Sequence, residues 1–204
     1  MQKFLTLLIF SIGLLNSQFN HQDKLVIKRT LGKSTVTVDF DGRNNETGFY
    51  HKHIDFGIAY PFQQSWIVEL KYRAQYRTKE DAWSLERRPQ VQLIKNINRP
   101  NVKWQFRTRM EYRIREGKED EMRNRSRIQI KAPKPISSLK ITPFISNEFF
   151  FAPKTWEHYI NWCSFGFDLP KSKIGRPTIF YKYVITQSDG EWVPSYTLVF
   201  KLTI

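Results

Sequence analysis

The sequence has a single cysteine, Cys163, so an internal disulfide framework is excluded. We interpret this cysteine as a small apolar group in the wall of the fold. After the N-terminus no apolar run reaches the roughly 20 residues that a transmembrane helix needs. No stretch of ten or more residues has a clear helical period either. The chain is instead rich in positive charge, with 33 Lys and Arg against 19 Asp and Glu, and in aromatic residues, which make up 15%.

The N-terminus has the features of a signal peptide. Lys3 provides the positive charge, residues 4–15 (FLTLLIFSIGLL) form an apolar run, and small or polar residues follow. The run is too short to span a bilayer, and no cysteine is present there to carry a lipid anchor. We expect cleavage near Ser17 to Asn20. The chain thus divides into a signal peptide, 1–20, and a single domain, 21–204, with a net charge of +13 after cleavage.

The segment from Trp104 to Lys131 has the clearest periodicity. Its side chains alternate between apolar and charged over two arms that are joined by the polar sequence EGKEDE. Strict alternation predicts β-strands, because successive side chains of a strand point to opposite faces. Two such strands with a short connection predict a hairpin. The polar face of this hairpin is unusual because it consists mainly of arginines.

The same alternation recurs along the chain and predicts ten strands from Thr35 onward. The predicted strands cover residues 35–40, 50–60, 66–77, 83–94, 104–115, 122–131, 139–151, 157–168, 177–186 and 193–204. Most have 10 to 13 residues, whereas strands of soluble sheets commonly have about 5 to 6 and membrane-spanning strands about 9 to 11. We therefore predict an all-β fold, an antiparallel up-and-down transmembrane β-barrel of about ten strands. The number rises to twelve if residues 25–30 pair with a further early strand.

The predicted connections alternate in character along the chain. Every second one is acidic, starting with DGRNNETG at 41–48, and the others contain proline, are uncharged or are basic; only APKT at 152–155 departs from this series. In an up-and-down barrel alternate connections lie at the same end. If the strand at Thr35 enters from the periplasm, the acidic connections face outward and the proline-rich ones face the periplasm.

Several strand segments resemble a family of uncharacterised outer-membrane β-barrels, DUF2490. The matching segments are YRAQYRTK at 72–79, LERRPQVQ at 85–92, RTRMEYRIR at 107–115, RNRSRIQI at 123–130 and PFISNEFF at 143–150. The resemblance implies a small barrel in the outer membrane. It implies no activity, so it provides no catalytic residue.

The arginine-rich faces are the candidate functional feature. A charge on the lipid-facing side costs about 2–4 kcal/mol per Arg at mid-membrane, so we place these side chains in the lumen. The interior is then either a structural plug of Arg–Glu pairs or a narrow, basic passage or binding site for small anions. The predicted lining residues are Glu69, Arg73, Arg88, Arg107, Arg109, Glu111, Arg113, Arg123, Arg125, Arg127 and Glu148.

Two alternatives remain open, and nucleic-acid binding is disfavoured. A soluble periplasmic barrel with an apolar ligand requires an apolar interior, and a lipid-modifying outer-membrane enzyme requires catalytic residues. His51, His53 and Asp55 share one strand face, with Ser126 and His158 elsewhere, but no nucleophile–base spacing is recognisable. We expect the histidines on a solvated face near a connection, and no third ligand accompanies the His51–His53 pair as a metal site.

A nucleic-acid-binding sheet exposes aromatic rings and cations on one face, whereas here they lie on opposite faces.

The tryptophans complete the prediction of an outer-membrane protein of a Gram-negative bacterium. They lie mostly at strand ends, as in the aromatic girdles of membrane barrels: Trp66, Trp83, Trp104, Trp156, Trp162 and Trp192. The expected partners are the lipid bilayer, the barrel-assembly machinery during insertion and small anions. We predict no enzymatic activity, no cofactor and no metal.

Overall fold

The fold is an all-β barrel of eleven long strands. The computed structural model describes residues 19–79, 82–136, 138–155, 157–188 and 190–204. The strands are β1 Phe19–Leu31, β2 Ser34–Asn45, β3 Gly48–Gln63, β4 Trp66–Lys79, β5 Ala82–Arg99, β6 Val102–Arg115, β7 Glu121–Lys131, β8 Thr142–Ala152, β9 Glu157–Asp168, β10 Arg176–Ser188 and β11 Glu191–Thr203. Each strand has 11 to 18 residues. Among the described residues, no helix is long and apolar enough to cross a bilayer.

The strands close into a barrel in chain order, which confirms the predicted all-β barrel and the range of ten to twelve strands. Neighbours in sequence pair antiparallel throughout, and β1 closes the barrel by pairing parallel with β11 from Phe19↔Tyr196 to Val26↔Thr203. The parallel seam follows from the strand count. When directions alternate and the number is odd, the first and last strands point the same way.

The additional strand β1 contains the segment 25–30 and precedes the strand that was predicted to be the first of the barrel. Its first residue, Phe19, lies at the barrel end that carries Glu46 and the acidic β6–β7 connection, while the C-terminus lies at the other end. The strand at Thr35 is therefore the second strand rather than the first, and the side on which the acidic connections lie stays a prediction. The predicted signal peptide lies outside the described residues up to 18, and residues 19 and 20 form the start of β1.

Several strands extend into segments that were predicted as connections. The most important case is β2, which continues through Asp41 and Arg43 to Asn45, so that residues 46–47 form the only connection to β3. The composition DGRNNETG is typical of a loop, but pairing with β3 keeps it extended. Pro143 lies near the start of β8, and Pro89 lies in the middle of β5, where the β5–β6 pairs stop at Arg87 and resume at Gln90.

The barrel has a polar interior and an apolar outer surface. Of the described residues, only Val26, Phe150 and Val199 are buried apolar side chains, whereas twenty-four buried residues are polar or charged. The outer face is apolar along most strands and includes Phe56, Ile58, Leu70, Tyr72, Val91, Tyr112, Met122, Ile128, Ile145 and Phe165. The alternation in the sequence therefore assigned the two faces correctly, including those of the β6–β7 hairpin.

Four tryptophans lie near strand ends as predicted. Trp66 and Trp104 are near the starts of β4 and β6, at one end of the barrel, and Trp83 and Trp192 are near the starts of β5 and β11, at the other. Trp162 contradicts the prediction because it lies in the middle of β9 and points inward, 4.6 Å from its ring centroid to the Lys182 ammonium. Residue 156 lies outside the described part of the chain.

Candidate functional site

All eleven predicted lining residues point into the barrel interior. Eight are almost completely buried, and Arg107, Arg113 and Arg127 are partly exposed at its margins. They come from β4 to β8, on which every second residue faces inward. The strand register then sets which charges meet: Arg107 lies opposite Arg127, Arg109 opposite Arg125 and Glu111 opposite Arg123.

Glu111 is the most buried of the interior glutamates and accepts hydrogen bonds from three arginines. Its Oε1 accepts hydrogen bonds from Arg109 at 3.3 Å and from Arg125 at 3.1 Å, and its Oε2 accepts one from Arg123 at 2.9 Å. The guanidinium of Arg88 is 3.9 Å from the same carboxylate. The side chain has no solvent-exposed area. One negative charge thus lies among four positive charges in a region from which bulk water is excluded.

Two further glutamates share arginines with this cluster. Glu86 Oε1 accepts hydrogen bonds from Arg88 and Arg113, each at 2.6 Å. Glu148 accepts one from Arg125 at 3.1 Å and a second from Arg107. We call Glu86, Arg88, Arg109, Glu111, Arg113, Arg123 and Arg125 the ion-pair layer. Since these charges are paired and hydrogen-bonded across the three strands β5, β6 and β7, the layer stabilises the interior as a unit.

The interior on the side of β1 to β4 is held by a separate set of ion pairs. Arg73 donates two hydrogen bonds to Asp55, at 2.6 and 2.8 Å, in the paired geometry that suits a guanidinium and a carboxylate. Lys71 is 3.3 Å from Asp55, and Lys24 is 2.6 Å from Asp39. The amide of Gln92 links this region to the ion-pair layer, because its oxygen accepts a hydrogen bond from Arg109 while its nitrogen donates to Glu69.

A cavity of about 530 Å³ occupies the remaining interior. Twelve Lys and Arg line it against six Asp and Glu, so its formal charge is clearly positive. We call this cavity the basic chamber. Arg127 illustrates the excess: its guanidinium donates a hydrogen bond to the neutral amide of Gln105, and its Nε has no hydrogen-bond partner. The Nε of Arg107 also lacks a partner. The chamber therefore contains donors that can bind an anion.

The histidines were predicted on a solvated face, and this was wrong. His51 and His53 are 1% and 5% exposed, because both point into the barrel interior and β2 continues the wall beside them with residues that had been predicted as a connection. His53 is the cross-strand neighbour of Asp41, and the carboxylate oxygen Oδ1 of Asp41 is 3.6 Å from its Nδ1 and 3.8 Å from His51 Nε2. The sequence signal for Asp41 was present: the alternation Thr35, Thr37, Asp39 continues to Asp41 and Arg43.

The residues considered for catalysis do not assemble. Ser126 lies on the outer side of β7, where its hydroxyl donates to Thr108 at 3.2 Å. Three strands separate β7 from the histidines on β3. His158, on β9, is half-buried beside the rings of Phe149 and Phe151. Histidine and serine therefore do not form a nucleophile–base pair in this set.

A family model described as a protein of unknown function (DUF2490) matches residues 24–193. This is most of the chain, which therefore belongs to that family, as its strand segments suggested. No curated protein and no solved structure matches the chain.

Proposed function

We propose that this DUF2490 protein is an integral β-barrel of the outer membrane of a Gram-negative bacterium whose basic interior binds small anions. The observation that carries the proposal is the inverted distribution of polarity. Buried residues are almost all polar or charged, and the outer surface of the wall is apolar. A soluble protein is stabilised by burying apolar side chains, and this barrel buries very few. In a bilayer the same arrangement is favourable, since lipid contacts the apolar side and closure pairs the backbone groups.

The dimensions of the apolar surface support the membrane proposal. Along β4 the outward side chains run from Trp66 through Leu70 and Tyr72 to Tyr76. The ten steps from Trp66 to Tyr76, at a rise of about 3.3 Å each, span about 33 Å, which a strand tilt of about 40° reduces to about 25 Å along the membrane normal. That height matches the apolar band of outer-membrane barrels. At the two ends the ammonium groups of Lys95 and Lys52 lie 4.5 Å from the ring centroids of Trp66 and Trp83.

The interior supports a mainly structural role for the ion-pair layer and a binding role for the basic chamber. In the layer each glutamate is shared by two or more arginines, and the packed side chains occupy the lumen. In the chamber cations outnumber carboxylates two to one. A lining of one charge sign in a confined space raises the local concentration of the opposite ion. An inorganic anion with several oxygen acceptors suits the fork of arginine donors.

The interior gives little support to the alternative of a soluble barrel with an apolar ligand. Such a carrier needs an apolar lining, and the chamber is lined by charged side chains with Val26, Phe144 and Phe180 among its few apolar members. For the lipid-modifying enzyme, Ser126 and the histidines that were considered for catalysis do not form a nucleophile–base pair.

Cell fractionation tests the location. We expect the protein in the outer-membrane fraction, resistant to extraction by salt or alkaline carbonate, with a shift in gel migration between unheated and boiled samples. An unheated barrel retains its paired strands in detergent and migrates differently from the unfolded chain. Recovery in the soluble periplasmic fraction would contradict the membrane proposal.

Planar-bilayer recording of the purified protein tests the anion proposal. We expect a small conductance whose reversal potential in a potassium chloride gradient indicates anion preference. Arg127→Gln removes a chamber cation that is hydrogen-bonded to a neutral amide, so it should reduce this preference without breaking an ion pair. Arg87→Gln, on the exposed outer side of β5, is the matched control and should not alter selectivity. Selectivity equal in both variants and the unsubstituted protein leaves only the structural role. A barrel without conductance excludes passage, and the binding role is then contradicted if titration calorimetry with phosphate detects no binding.

A further inference from the structure

We propose that Asp41, His51 and His53 form a binding site for a divalent first-row transition-metal ion, of which Zn²⁺ is the appropriate probe. Three potential ligand atoms converge: Asp41 Oδ1, His51 Nε2 and His53 Nδ1. Imidazole and carboxylate are ligands that suit Zn²⁺ and its neighbours rather than Mg²⁺ or Ca²⁺. The site lies on the wall of the interior whether lipid or water covers the outer surface, so it does not depend on the membrane proposal.

The distances between the three atoms match a metal site. His51 Nε2 is 3.0 Å from His53 Nδ1, and Asp41 Oδ1 is 3.8 Å from the former and 3.6 Å from the latter. Ligands at about 2.0–2.1 Å from a tetrahedral zinc are about 3.4 Å apart. The observed separations scatter around this value, so small side-chain rotations would bring all three atoms to bonding distance. The fourth position would remain available for water or an anion.

The backbone holds these residues in place without a long loop. His51 and His53 are two residues apart on β3, so both point inward, and Asp41 lies directly opposite His53 on β2. Cross-strand neighbours have Cβ atoms about 4.5–5.5 Å apart, which brings a carboxylate and an imidazole into reach of one ion. Gln22 and Arg43 donate hydrogen bonds to the two oxygens of Asp41 and orient its carboxylate. Oδ1 retains a second lone pair for a metal.

The histidine pair is incompletely satisfied without a metal. The two rings share one hydrogen bond, and His51 Nδ1 and His53 Nε2 have no partner. If His51 Nε2 carries the shared proton, His53 Nε2 bears a buried hydrogen without an acceptor. If His53 Nδ1 carries the shared proton instead, His51 Nδ1 bears a buried hydrogen without an acceptor. A metal would use the lone pairs of both inner nitrogens, and the hydrogen on His53 Nε2 would then point toward Asp55 Oδ1, now 3.9 Å away. A carboxylate behind a metal-bound histidine is a common supporting contact.

Access to the site favours a metal, whereas the surrounding cations oppose it. Asp41 and His53 line the basic chamber, which provides a polar path to the site. Asp39 and Asp55 are already paired with Lys24 and Arg73, and Arg43 lies 3.0 Å from the Asp41 oxygen that would bind the ion. Arg43 therefore competes with the metal for Asp41, which gives the proposal a specific consequence: removing this arginine should strengthen binding.

Titration calorimetry with Zn²⁺, on the full-length protein purified without a polyhistidine tag, tests the proposal. Absorption of bound Co²⁺ between about 500 and 650 nm reports the coordination geometry. We expect one Zn²⁺ per chain, with affinity lowered at least about hundredfold by His51→Ala or His53→Ala and about tenfold by Asp41→Asn. Arg43→Gln should raise the affinity about tenfold. His158→Ala, a half-buried histidine on another strand, is the matched control and should leave binding unchanged.

Far-UV circular dichroism of each variant confirms that the barrel is folded. Arg43→Gln keeps the test decisive even if a histidine variant fails to fold, since a gain of affinity does not result from a damaged barrel. The proposal is overturned if the unsubstituted protein binds no Zn²⁺ or if folded His51→Ala and His53→Ala bind as tightly as His158→Ala. It is also overturned if Arg43→Gln leaves the affinity unchanged. The histidines are then only a hydrogen-bonded pair in the wall.

Discussion

Replacing Glu111 by Gln tests whether the ion-pair layer stabilises the barrel. The substitution keeps the size of the side chain and removes its negative charge. Glu111 has no exposed area, accepts hydrogen bonds from Arg109, Arg123 and Arg125, and lies 3.9 Å from Arg88. After the change four guanidinium groups face a neutral amide, whose NH₂ end cannot accept a hydrogen bond from any of them.

The expected loss follows from the number of charges left without their partner. Removing one member of a buried ion pair costs about 3–5 kcal/mol, because the remaining charge stays desolvated. Glu148 still compensates Arg125, so we expect a loss within this range rather than a multiple of it. The assay is equilibrium unfolding by urea or guanidinium in lipid or detergent, followed by tryptophan fluorescence.

Two further variants make this result specific. Glu119→Gln, in the exposed connection between β6 and β7, removes the same charge where water surrounds it and should change the free energy of unfolding by at most about 0.5 kcal/mol. Arg123→Met in the Glu111→Gln background should recover part of the loss, since it removes one unpaired cation. If Glu111→Gln is no more destabilising than Glu119→Gln, water or counterions satisfy the arginines, and the layer does not stabilise the fold.

Two other predictions concern the outer surface and the packing of the wall. Leu70→Arg places a charge on a side chain that is 62% exposed in the middle of β4, and we expect it to destabilise a lipid-embedded barrel by about 2–4 kcal/mol. Unfolding in bilayers measures this, and a change below about 0.5 kcal/mol, as for a water-exposed site, would contradict the membrane proposal. Gly166→Ala adds a Cβ at 2.4 Å from the carbonyl oxygen of Ile179 and 2.6 Å from Cα of Phe180, so the β9–β10 pairing must shift. We expect a loss of about 1–3 kcal/mol in the same assay, and an unchanged stability would show that this close backbone approach is not required.

The strand period was predictable because it is a local property. Whether Arg107 points inward and Phe106 outward depends only on alternation along one strand, and the apolar or charged character of each face then selects its environment. The long strands, the polar interior and the inward direction of all eleven lining residues follow from this. The family resemblance also rested on these local segments, and the matched range 24–193 confirms it.

Interactions between strands that are distant in sequence were decided only by the tertiary structure. Pairing of β1 with β11 joins residues more than 170 positions apart and makes the number of strands odd, which no local pattern indicates. The register places Glu111 among arginines from three different strands. Asp41 shows the physical reason most clearly: its neighbours have the composition of a loop, but cross-strand hydrogen bonds to β3 keep it in a strand opposite His53. Local preferences for a turn are weaker than a complete set of backbone pairs, so the candidate metal site becomes visible only when the barrel is closed.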